Sequence, residues 1–132
     1  VNTPGALHTP ARRMQICDYS GLRFGTITPT DIDGFIDLHG KAFIIFELKH
    51  RGAELPRGQR IALESLVKGR PGIVFVAEHS VDDVKQSVNA ADCLVRELYL
   101  PCARLWRKPK CKITLLEAIQ SYIESLEESE GT

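Results

Sequence analysis

Between Asp31 and Lys49 the chain changes character twice. Ile32, Phe35, Ile36 and Leu38 form an imperfect alternation broken by Gly34, and Phe43 to Phe46 form a continuous apolar run. A glycine inside an alternating segment marks a bulge or a close backbone approach. An unbroken apolar run marks a central strand covered on both faces. The pattern therefore predicts two adjacent strands joined by a turn at His39-Gly40. Residues two apart share a strand face, so Glu47 goes with Lys49, and Asp31 with Asp33. A three-residue turn sets Asp33 opposite Glu47 and Asp31 opposite Lys49. Other turn lengths shift that register, and a slip by one residue sends every side chain to the other face.

Downstream, Ala62, Leu63, Leu66 and Val67 make the apolar stripe of a helix from about Arg57 to Lys68. Gln59, four residues before Leu63 and seven before Leu66, points the same way as that stripe. Gly69-Arg70-Pro71-Gly72 stops the helix, and Ile73 to Ala77 is a β-branched strand. Strand, strand, helix, strand implies a mixed α/β sheet with a crossover helix. The polar stretch 81–89 reads as a loop and Ala91 to Leu100 as a strand. A last helix starts at Thr114, an N-cap with Glu117 three residues on, and runs to about Glu128. It is expected to bury Leu115, Leu116, Ile119, Ile123 and Leu126. Upstream, residues 1–10 read as a loose arm, and 11–18 as a short helix with Met14, Ile16 and Cys17 partly buried. Tyr19-Ser20-Gly21 reads as a turn, and Leu22 to Ile27 as a short strand or extended segment.

At 132 residues the chain is expected to form one domain with a real core. No apolar run approaches the roughly 18 residues of a membrane span. The N-terminus lacks the basic-then-apolar layout of a signal peptide, so a cytoplasmic location is expected, without membrane partners. Cys17, Cys93, Cys102 and Cys111 have no zinc-site spacing and read as reduced thiols. Seventeen basic and seventeen acidic residues cancel, but five of the acids lie in the last sixteen positions. Residues 1–116 thus carry a surplus of five positive charges, compatible with a polyanionic partner.

That charge distribution bears on the hairpin. Two or three carboxylates and one ammonium gather beside a highly apolar strand, and buried charge must be paired or bound to metal. Carboxylates at the ends of adjacent strands suit Mg²⁺ or Mn²⁺, a hard ion that keeps several waters and takes one or two carboxylates plus a substrate phosphate. Asp33 and Glu47 are the candidate ligands, with the Leu48 carbonyl as a further one and Asp31 as the second choice of aspartate. Lys49 would activate the attacking water or offset developing charge, and Gln59 would bind water or phosphate. The plainer reading is a solvated strand end where Glu47 and Lys49 make surface ion pairs. His50, Arg51, Arg57, Arg60, Arg107, Lys108 and Lys110 are candidate nucleic-acid contacts. Trp106, inside the basic run, either stacks on a base or plugs the core.

Asp31 and Asp33 followed by Glu47-Leu48-Lys49 resemble the PD-(D/E)XK nuclease superfamily. Thr28-Pro29-Thr30-Asp31 looks like a relaxed form of its first signature. The His39-Gly40-Lys41 turn with Phe43-Ile44-Ile45-Phe46-Glu47-Leu48-Lys49 resembles a hairpin of archaeal Holliday junction resolvases. Leu55-Pro56-Arg57-Gly58-Gln59-Arg60 is similar to the corresponding part of VRR-NUC domains, and the whole to small nuclease-like proteins of phages and prophages. The resemblance covers about residues 19–80, leaving 81–132 as an additional strand, basic segment and helix. It implies an α/β fold with a restriction-endonuclease-like core: a central mixed β-sheet flanked by helices in αβββαβ order, here with a C-terminal helix. It also implies Mg²⁺-dependent hydrolysis of DNA phosphodiesters, structure-specific in some members, and frequent homodimerisation. The rivals are a catalytically silent relative that binds nucleic acid or a protein partner, such as a phage-encoded modulator, and a metal phosphohydrolase of another kind.

Overall fold

The apolar run becomes the middle of a sheet. In the computed structural model, residues 15 and 17–130 are described. The chain divides into two compact units, residues 1–30 and 31–132. In the second, β1 (Gly34–Asp37) pairs antiparallel with β2 (Phe43–His50). Helix α1 (Arg57–Val67) then crosses over to β3 (Gly72–His79), which runs parallel to β2. β4 (Leu94–Leu100) and β5 (Leu105–Arg107) extend the sheet antiparallel, giving the order β1-β2-β3-β4-β5. Helix α2 (Leu115–Glu130) follows. The unit is an α/β fold with a five-stranded mixed sheet and two helices.

The alternation of β2 and β3 explains why their runs are apolar throughout. Ile44, Ile73, Phe75 and Ala77 pack with Val95, Leu115 and Ala118 on the α2 face. Ile45, Val74 and Val76 pack with Leu55, Leu63, Val67 and Tyr99 on the α1 face. The α2 start is a reciprocal capping box: Thr114 Oγ1 accepts from Glu117 N (3.2 Å), and Glu117 Oε1 accepts from Thr114 N (3.1 Å). Those bonds hold the Glu117 carboxyl below its ordinary range.

Several expectations are corrected. Two strands, not three, precede α1 among the described residues; the expected strand in 81–132 joins the sheet beside β3. β5 was not expected; it is a three-residue edge strand with only Leu105 and Trp106 to mark it. A 3-10 turn, Ala90–Asp92, takes the start assigned to β4. Leu66 and Leu116 are exposed, while Leu55 and Ala118 are buried in the two clusters. The arm 1–10, Met14 and Ile16 lie outside the described residues, and Cys17 is exposed and not helical. In the first unit Leu22 N bonds Tyr19 O at 2.9 Å, the expected turn. Phe24 pairs with Ile27 around Gly25 (φ 67°), a tight reversal rather than a strand. All four cysteines are free thiols. Among the described residues no helix is long and apolar enough to cross a membrane.

Gly34 faces Phe46 across the β1–β2 pair, and a Cβ there would fall inside the Phe46 ring. The glycine thus marks a close approach by an aromatic side chain. Gly34→Ala is expected to push the ring aside and cost about 1–3 kcal/mol, as overpacking does. A urea midpoint unchanged from the parent would show that the ring has other room.

Candidate active site

The turn between β1 and β2 decides which aspartate meets Glu47. His39 and Gly40 have φ of 54° and 76°, the left-handed values a tight hairpin turn needs. Lys41 N bonds Leu38 O, Leu38 N bonds Ala42 O (both 3.0 Å), and Asp37 Oδ1 accepts from Gly40 N at 2.7 Å. Three residues therefore separate Leu38 from Ala42, and the ladder runs from Asp37↔Phe43 to Gly34↔Phe46. One step further, Asp33 stands opposite Glu47.

At that step the ladder stops and side chains take over. Asp33 N donates to Glu47 Oε1 (3.2 Å), and Asp33 Oδ2 accepts from Leu48 N (2.7 Å). Gln59, in the first turn of α1 and half-buried, donates from Nε2 to Glu47 Oε2 (2.9 Å). Its Oε1 accepts from Lys49 Nζ at 3.3 Å. Asp33, Glu47, Gln59 and Lys49 thus form one hydrogen-bonded chain. Glu47 and Lys49 lie on the α1 face, where odd-numbered β2 residues point, and Gln59 reaches them from the helix covering that face.

Glu47 is 3 % exposed, the one buried charged side chain among the described residues. Burial pushes its carboxyl above the ordinary range, and the Asp33 charge pushes the same way; the Asp33 N–H and the Lys49 ammonium pull back without winning. Two carboxylates held together against their repulsion form a place where a cation is favoured. The Leu48 carbonyl adds a third oxygen, since N–H and C=O of one strand residue leave on the same side. Its N–H points at Asp33. All these donors are hard oxygens, the set that Mg²⁺ accepts. Among the described residues no group of three or more His, Cys, Asp or Glu side chains gathers. The cluster offers two carboxylates, and one or two are what such an ion ordinarily takes. Asp31 is exposed and joins none of these hydrogen bonds.

The expected nucleic-acid contacts are divided. His50 is bound to Asp82 (Nε2–Oδ1, 2.8 Å) and set edge-on to His79. Arg60 is bound to Glu97 at 2.6 Å and lies 4.4 Å from the Trp106 ring centre. Both are engaged by carboxylates of the protein itself. Arg51 and Arg57 are exposed at the end of β2 and the start of α1, close in sequence to the site. Arg107, Lys108 and Lys110 are exposed but belong to β5 and its sequel, three strand spacings (about 14 Å) from β2. Trp106 packs half-buried on the α1-face cluster, its Nε1 donating to Glu64 Oε2 at 2.8 Å, so its place is in the core.

Arg96, Glu97, Glu78 and Asp82 escaped the sequence reading. A signal for the first two exists: Arg96-Glu97 interrupts the alternation of Val95, Leu98 and Leu100 with two consecutive charges. No family model, no curated protein and no solved structure matches this chain.

Proposed function

We propose that this chain is a Mg²⁺-dependent endonuclease acting on DNA, with a restriction-endonuclease-like core. The observation that carries the reading is the convergence of Asp33, Glu47, Gln59 and Lys49 into one hydrogen-bonded chain. Residues drawn from the entry to β1, from β2 and from a helix, and spaced up to 26 positions apart in sequence, meet with complementary roles, whereas a merely solvated strand end has no reason to bury Glu47. Asp33, Glu47 and the Leu48 carbonyl would hold the ion. When bound, it polarises a phosphoryl oxygen and lowers the pKa of a coordinated water.

The chain's own groups do the rest. Lys49 Nζ, held by Gln59 Oε1, faces the same pocket of charge and can orient a water or offset charge that develops on phosphate oxygens. Gln59 links that ammonium to the Glu47 carboxylate, so the two cannot move independently. Arg51 and Arg57, exposed and without a carboxylate partner among the described residues, would meet a DNA backbone.

Plasmid, single-stranded, flap and four-way-junction DNA incubated with Mg²⁺ or Mn²⁺ tests this. Cleavage is expected with either ion and none in a chelator; equal cutting under all three conditions sinks the nuclease reading. Asp33→Asn, which keeps the acceptor for Leu48 N, is expected to slow cleavage at least ~100-fold, as loss of a group acting on the transition state does. Asp31→Asn is expected to stay within about threefold of the parent, an effect of under ~1 kcal/mol. The reverse ranking would move the ligand to Asp31.

A further inference from the structure

We propose that Arg96, set in a β-bulge of β4, is a positioning residue that holds Lys49 and Gln59 in register; this rests on reading their site as catalytic. Val76 pairs with Glu97 and Ala77 with Val95, so Arg96 is the extra residue of the strand. A bulge re-aims side chains that strict alternation would send to opposite faces. Val95 points into the α2-face cluster, yet Glu97 and Tyr99 serve the α1 face. Arg96 reaches the α1 face as well, since its Nε donates to Glu78 Oε2 (3.1 Å), and Glu78 follows Val74 and Val76 on that face. Two consecutive charged residues therefore work on one side of the sheet.

Each secures a different arm of the site. Arg96 Nη1 donates to Ala53 O (2.5 Å) and Nη2 to His50 O (3.4 Å), the two ends of the turn that follows Lys49. That turn is closed by Ala53 N on His50 O at 2.9 Å and needs Gly52 at φ 85°. Glu97 binds Arg60, the residue after Gln59 in α1. The chain between Lys49 and Gln59 is thus pinned near one end by Arg96 and near the other by Glu97, consecutive residues of β4. A planar guanidinium suits this task, because its fork serves several acceptors in fixed geometry. Arg96 is charge-balanced by Glu78 and touches none of the oxygens assigned to the ion. Its effect is therefore on geometry, where a displacement of about 1 Å costs on the order of 100-fold in rate.

The test compares Arg96→Met and Arg96→Lys with the parent chain. Three quantities are measured: kcat and KM for DNA cleavage with Mg²⁺, Mn²⁺ affinity by calorimetry, and the amide spectrum of ¹⁵N-labelled protein. Arg96→Met is expected to lower kcat by roughly 30–100-fold, with KM and Mn²⁺ affinity within about threefold. The Gln59 side-chain NH₂ resonances should shift or broaden, while the Val74 and Val76 amides keep their exchange protection. Arg96→Lys, which keeps the charge but gathers its donors on one nitrogen, should recover part of kcat and of the Gln59 signal. Unchanged kcat and Gln59 resonances in Arg96→Met overturn the proposal. So does loss of Val74 and Val76 protection in both variants, which would make Arg96 a general stability element. If the parent chain cuts no DNA, the nuclease reading fails, and the Gln59 resonances alone then decide whether Arg96 positions the cluster.

Discussion

Lys49→Ala is expected to lose DNA cleavage by about three orders of magnitude while binding Mn²⁺ at least as tightly as the parent. The two halves of that expectation come from the same atom. Lys49 Nζ bonds to Gln59 Oε1, and its charge is one of the influences drawing the Glu47 carboxyl downward. Removing an ammonium that stabilises charge in the reaction costs roughly 10²–10⁴ in rate. Removing it from beside two carboxylates leaves their negative charge less balanced, which strengthens the attraction for a divalent cation. Misfolding would weaken metal binding and cleavage together, so opposite movement of the two is diagnostic. Single-turnover cleavage and Mn²⁺ titration of the same preparation read both. Cleavage within tenfold of the parent would remove Lys49 from the reaction.

Glu47→Gln is expected to abolish cleavage and to make the protein more resistant to heat at pH 8. Glu47 is buried, its ordinary carboxyl value is 4.5, and burial together with Asp33 raises it in the folded state. A raised value means that the folded protein holds this proton more tightly than the unfolded chain. The stability contributed by that proton is fully present below about pH 4.5 and is lost as pH rises through the folded-state value. Above it, the folded chain carries a desolvated carboxylate next to another. The neutral amide lacks this cost, although its NH₂ must face Asp33 N or Gln59 Nε2, each now donating to a Glu47 oxygen, so the stability of Glu47→Gln relative to the parent should grow as pH rises through the folded-state value and level off above it. A gain of about 1 kcal/mol corresponds to roughly 3–5 °C for a domain of this size. Saturating Mg²⁺ should raise the Tm of the parent at pH 8 and leave Glu47→Gln unmoved, because the variant lacks one of the two carboxylates of the proposed site. A pH-independent difference between the two melting curves would contradict the assignment of burial as the cause.

The hairpin was the most legible part of the chain, since a continuous apolar run and a two-residue spacing survive any detail of packing. Its register was legible only conditionally. The sequence offered several turn lengths, and the choice was made by the left-handed backbone at His39 and Gly40. Gln59 was readable because helical spacing ties it to Leu63. By the same periodicity Leu66 looked buried, and it is not, because the surface that α1 covers is narrower than its apolar stripe. His50 and Arg60 looked free because their partners, Asp82 and Glu97, lie 32 and 37 residues further along and carry no local signal. β5 was hidden for a different reason: three edge residues among basic neighbours leave no period to detect.

The end of β1 carries a consequence for how this sheet can change. Leu48 N sits where the next rung with β1 would form, and it is given to the Asp33 carboxylate instead. Lengthening β1 toward its N-terminus would add pairing, but the first added rung would take Leu48 N from the Asp33 carboxylate. Variants selected only for thermal robustness are thus drawn toward a longer edge strand and away from an intact acidic pair. In a lineage that kept the fold but no longer needed the pair, an apolar residue at Asp33 and two further rungs would be the first signature of that release.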